Sequence, residues 1–91
     1  MKKIIVRLVE DYNEYSKLVA LNRAHIKEGT CDEETLQWNR GHLSCVRDYL
    51  DELSKVVPGV NLEWECGEHT FGQDDWKEQL VYKTVRATFD N

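Results

Sequence analysis

The sequence predicts an α+β fold of order β-α-α-β-β, with two helices packed on one face of a small three-stranded sheet. Three patterns carry that reading: an amphipathic seam between residues 36 and 57, alternating or β-branched segments towards both ends, and the punctuation of Gly29 and Pro58-Gly59. Ninety-one residues, 41% of them hydrophobic, suffice for one modest core and not for two. Residues 1–91 are therefore read as a single compact domain.

The first element is a strand, since Ile4, Val6 and Leu8 alternate with Ile5, Arg7 and Val9 until Glu10-Asp11. Its apolar content points to a central position beside the last strand. Asp11 or Asn13 is placed as the cap of a following helix, in which Tyr15, Leu18, Val19, Asn22 and Ile26 share one side and Gly29 is the stop. Thr30-Cys31-Asp32-Glu33 fits a capping box, which starts the second helix at Thr30.

That second helix is the clearest signal in the chain. Leu36, Leu43, Leu50 and Val57, with Val46 and Leu53 between them, repeat at the helical spacing up to the stop at Pro58-Gly59. A second stripe of Trp38, His42, Cys45, Tyr49 and Val56 lies about 100° around the same helix. Gly41 marks either a kink, a close backbone crossing or a tolerated surface position. Arg47 with Asp51, and Asp51 with Lys55, are spaced as surface ion pairs.

Leu62, Trp64 and Cys66 alternate with Asn61, Glu63 and Glu65, a half-buried strand whose acidic side faces out. In the last strand Val81, Val85, Ala87 and Phe89 face inwards, with Lys83 as the exception, while Tyr82, Thr84, Arg86 and Thr88 face outwards. A hairpin turning near Gly72 to Asp75 sets Leu62 opposite Val85 and Cys66 opposite Val81, with Glu63 and Glu65 beside Arg86. The competing reading caps a short helical turn with Asp75 and Glu78, through Trp76 and Leu80.

Seventeen acidic against twelve basic residues give a net charge of −5, which argues against direct binding of nucleic acid or of an anionic membrane. The opening Met1-Lys2-Lys3-Ile4-Ile5-Val6 starts like a signal peptide, but Arg7 and Glu10-Asp11 interrupt it. Three cysteines, Cys31, Cys45 and Cys66, fall short of a disulfide scaffold. A reducing, cytoplasmic setting is the resulting expectation.

His42-x-x-Cys45 and Cys66-x-x-His69 combine two nitrogen and two sulfur ligands of the kind tetrahedral zinc takes. They define the alternative reading, a zinc-stabilised regulatory domain. Against it, neither half is a paired-cysteine knuckle, and Cys66 and His69 point to opposite faces of an unbroken strand. Cys31 near a helix start has the position of a nucleophile, but Asp32, Glu33 and Glu34 oppose a thiolate there. The carboxylates of Glu63, Glu65 and Glu68, and of Asp74 and Asp75, have the spacing of a solvated strand face and of a turn. No glycine-rich phosphate loop or serine elbow is present, so no enzyme and no cofactor is expected.

Binding is the remaining class. Trp38, His42 and Tyr49, together with the loop Phe71, Asp74, Asp75 and Trp76, are the expected partner-contacting residues, because aromatics bordered by polar residues make good anchors. Trp64 is assigned to the core. The expected function is a small acidic inhibitor or adaptor acting on a larger protein with a basic surface, one that handles nucleic acid or serves host defence. In size and charge the chain has the style of phage and mobile-element products, and the apolar helix stripe is also compatible with a homo-oligomer.

Overall fold

A computed structural model describes residues 2–29, 32–73 and 76–90, with the side chains at 27, 28, 69, 71–73 and 76–78 outside that description. The elements are α1 (Lys2–Glu28), α2 (Glu33–Val56), β1 (Val60–Gln73) and β2 (Trp76–Phe89). The class is α+β, but the order is helix-helix-strand-strand and the sheet has two antiparallel strands.

The expected first strand is the start of α1. Ile4 to Val9 satisfies a strand template and a helix template equally, and the residues beyond Val9 decide between them. Ile5, Tyr12 and Val19 recur every seven residues, with Ser16 between them, and all four are buried. Glu10-Asp11 is no helix breaker, and neither glycine nor proline interrupts the chain before Gly29. One helix of 27 residues therefore replaces a strand and a short helix. Gly29 ends it with φ of 78°, in agreement with the sequence.

Asn13, expected as a cap, lies inside α1 and does something else. Its side-chain amide donates to the Val85 carbonyl at 3.0 Å, and its carbonyl oxygen accepts from the Val85 N–H at 2.7 Å. Both backbone groups of Val85 thus point away from β1 towards the helix. The helix supplies at this point the pairing that a third strand would have made.

Asp32, rather than Thr30, caps α2, and its carboxylate accepts from the Thr35 N–H at 2.7 Å. That bond holds the Asp32 carboxyl below its ordinary pKa. Thr30 and Cys31 lie outside the described residues. The predicted seam is the packed side of α2: Leu36, Val46 and Leu50 are buried, and Leu43, Leu53 and Val57 pack against the core. The core joins Ile5 and Tyr12 of α1, Val46 and Leu50 of α2, and Val85 of β2. Asn39 of α2 donates to Asn22 of α1 at 2.6 Å, both buried, so the antiparallel helices are held in register by an amide pair.

Pro58-Gly59 turns the chain into the hairpin. Gly59 has φ of 79°, and a Cβ there would lie 2.6 Å from the Asp90 carbonyl oxygen, so only glycine fits. The hairpin register pairs Leu62 with Ala87, Trp64 with Val85 and Cys66 with Lys83. This is two residues from the expected pairing of Leu62 with Val85, a shift that preserves which face each side chain occupies. Trp76 to Leu80 belong to β2, so the helical-turn alternative does not form. On the outer face Arg86 pairs with Glu63, and with Glu65 at 3.4 Å. The nearby carboxylates push the Arg86 pKa up.

Asn13→Ala leaves two backbone groups of a central strand residue without partners, and is expected to cost about 1–3 kcal/mol. Asn61→Ala, which removes an exposed bond to Asp90, should cost under about 0.5 kcal/mol. Denaturant titrations of the two variants check the contrast. A Cβ at Gly41 meets no atom within 4 Å, so this glycine marks neither a crossing nor a contact. Gly41→Ala should raise stability by about 0.5–1 kcal/mol in the same assay.

Candidate functional site

The second stripe of α2 stands in solvent. Trp38 is 71% exposed, Tyr49 64% and Val56 68%, with Cys45 exposed between them. These positions fall within about 40° of one line down the helix, roughly 100° from the seam that meets the core. Glu34 and Glu52 lie close beside that line and Asp48 a little further round, all exposed. The result is an apolar ridge with an acidic flank. His42 is half-buried rather than exposed, because its ring packs on Tyr15 of α1 with centroids 4.0 Å apart. That contact ties the ridge to the helix beneath it.

The hairpin-loop half of the expected site falls differently. Phe71 and Trp76 occupy backbone positions in β1 and β2, where they pair with Glu78 and Gln73, and their side chains are outside the described set. Asp74 and Asp75 lie outside the described residues altogether. The structure thus brings together Trp38, His42 and Tyr49 on one helix.

Trp64, expected in the core, is 40% exposed. Its ring meets Tyr12 edge-on, centroids 5.2 Å apart, and the Arg47 guanidinium lies over it at 5.6 Å. Burial pushes the Tyr12 phenol pKa up, with Arg47 opposing the rise. Arg47 makes no ion pair with Asp51, nor does Asp51 with Lys55, so both expected surface pairs are absent. Arg47 lies over the Trp64 indole instead, and a solvent-screened helix pair is worth too little to hold it elsewhere.

The potential zinc ligands are spread out. Cys45 is on the exposed ridge, whereas Cys66 lines a hollow with Arg47 and Asp51 on the other side of α2. His42 is engaged with Tyr15, and the side chain of His69 is outside the described set. Among the described residues no three His, Cys, Asp or Glu side chains are grouped as a metal site would require. Nor is any helix long and apolar enough to cross a membrane among them.

A concave surface that sequence reasoning does not anticipate lies between α1, α2 and β2. Arg23, Arg40, Arg47 and Lys83 border it. Its sequence traces are the seven-residue spacing of Arg40 and Arg47, which puts them on one side of α2, and Lys83 as the exception on the inward face of the last strand.

No protein-family model, curated protein or solved structure matches the chain.

With Cys66 on the other side of α2 from His42 and Cys45, chelation is expected to leave folding unchanged. Thermal melts followed by circular dichroism, with and without a strong zinc chelator, should superimpose. A cooperative transition lost on chelation and restored by zinc alone would contradict this.

Proposed function

We propose that this protein is a small protein-binding module, an inhibitor or adaptor, whose contact surface is the exposed ridge of α2. The observation that carries the reading is the exposure of Trp38, Tyr49 and Val56 in line on a helix whose other apolar seam, about 100° round, is packed. Exposing large apolar side chains costs solvation free energy that nothing in the chain's own packing recovers, and a partner's groove recovers it. From Trp38 to Val56 the ridge runs about 27 Å, and each aromatic can remove about 150–250 Å² from water, enough to seed an interface of ordinary size.

The flanking Glu34, Asp48 and Glu52 favour a partner with a hydrophobic groove rimmed by basic side chains, in the helix-in-groove mode. Apolar anchors then supply affinity and the acidic flank speeds encounter. Such a module acts by occupying a surface on its partner or by carrying a second protein to it.

Trp38→Ala and Tyr49→Ala should leave the melting transition near its original position, because neither side chain is in the core. Each should weaken partner association by about 2 kcal/mol if it is a central anchor. Affinity capture with the intact chain and with the Trp38→Ala/Tyr49→Ala double variant provides the comparison. A protein retained by both to the same extent would remove the ridge from the interface. Self-association abolished by the double variant would make the partner a second copy.

A further inference from the structure

Carboxylates outnumber cationic side chains seventeen to twelve, yet one concave surface of the molecule is lined by no carboxylate among the described residues. The groove between α1, α2 and β2 has a volume of 380 Å³. Arg23 enters it from α1, Arg40 and Arg47 from α2, and Lys83 from β2. Among the described residues none of the four makes an ion pair, although Asp51 stands one turn from Arg47. Four cationic residues lining one groove give it a positive potential, and an anion bound there is attracted by all of them.

The walls are suited to the same purpose. Ser16, Ala20 and Ser44 are small residues between the cations, and they keep the helices from filling the groove while two hydroxyls add neutral donors. Arg47 lies over the Trp64 ring, 5.6 Å from its centroid, a cation–π contact that consumes none of its N–H donors. Lys83 breaks the apolar pattern on the inward face of β2, and in the groove that position has a use.

We propose that this groove is a binding site for a small phosphate-bearing anion, its oxygens taken by Arg23, Arg40, Arg47 and Lys83. Guanidinium forks match phosphate oxygens in pairs, and four positive charges suit a ligand carrying more than one negative charge. The volume lies in the lower part of the usual range of roughly 300–1,000 Å³ for small-ligand pockets. An extended polyanion is disfavoured, because Asp51 and Glu65 stand in the adjoining hollow beside Arg47 and Lys83 and the net charge is −5. The site lies across α2 from the apolar ridge and does not depend on it.

Titration of the full chain with inorganic tripolyphosphate tests the proposal, read by calorimetry and by backbone amide shifts at low and physiological salt. Saturable binding to one site is expected, with shifts confined to residues 12–23, 40–47 and 81–83. Arg23→Ala and Arg40→Ala, both exposed, should each weaken binding by about tenfold without moving the melting transition. Lys55→Ala, on α2 outside the groove, should leave affinity unchanged. A nucleoside triphosphate binding more tightly than tripolyphosphate would identify a nucleotide as the source of the phosphate, and equal affinity would identify a free polyphosphate. The proposal is overturned by failure to saturate, by an equal loss in Lys55→Ala, or by a single-stranded oligonucleotide or polyglutamate displacing the phosphate at lower concentration.

Discussion

The pairing of the Asn13 amide with both backbone groups of Val85 is the constraint on which the arrangement of elements rests. A two-stranded hairpin alone is marginal in water, and its edges offer unpaired N–H and C=O groups to any passing strand. Here a helix is laid along β2 and one of its amides meets the strand edge at the residue that is also in the core. That bond sets the rotation and the longitudinal position of α1. Tyr12, the preceding residue, then meets Trp64 across the hairpin, and Ile5 joins Val85 in the core. The second amide contact, Asn39 to Asn22, sets α2 on α1 in the same way. Two side-chain amides thus fix the order β2, α1, α2, and hydrophobic contact, which is not directional, supplies the adhesion.

A molecule built this way is thin, with extents of 49 × 28 × 16 Å. Two layers at that thickness leave few positions fully enclosed, which is why Leu43, Leu53, Leu62 and Ala87 stay only partly buried around a small central cluster. The outer helix has one packed side and three others in contact with water or with the rim of the hairpin. Its second stripe therefore has no element left to cover it. Two faces of α2 ask for cover, and the fold covers one.

How far the sequence can be read depends on whether a local pattern has a single solution. The seam from Leu36 to Val57 is too long and too regular for anything but a helix, and it is legible to within a residue at its C-terminal end. Ile4 to Val9 has two solutions, and only the continuation through Tyr12, Ser16 and Val19 separates them. Alternation in the hairpin fixes the face of every side chain but leaves the register open in steps of two, which is the displacement found at Leu62. Trp38 and Tyr49 are legible as a surplus stripe. Arg23, Arg40, Arg47 and Lys83 are not, because they come from three elements and meet only when Asn13 has placed α1 against β2.

The two surfaces of α2 carry opposite charge, and the distance between them decides how far they influence each other. An anion held among Arg23, Arg40, Arg47 and Lys83 would cancel positive charge and make the whole molecule more uniformly acidic, which strengthens attraction for a basic-rimmed partner at the ridge. The two sites are separated by the helix itself, about 10–12 Å across with its side chains, whereas the screening length is about 8 Å at physiological ionic strength. Electrostatic coupling between them is therefore damped to a small fraction of its unscreened strength under cellular conditions and grows as salt is lowered. Any stronger linkage has to pass mechanically through α2, which lines the groove with Arg40 and Arg47 and carries Trp38 and Tyr49 on its exposed stripe.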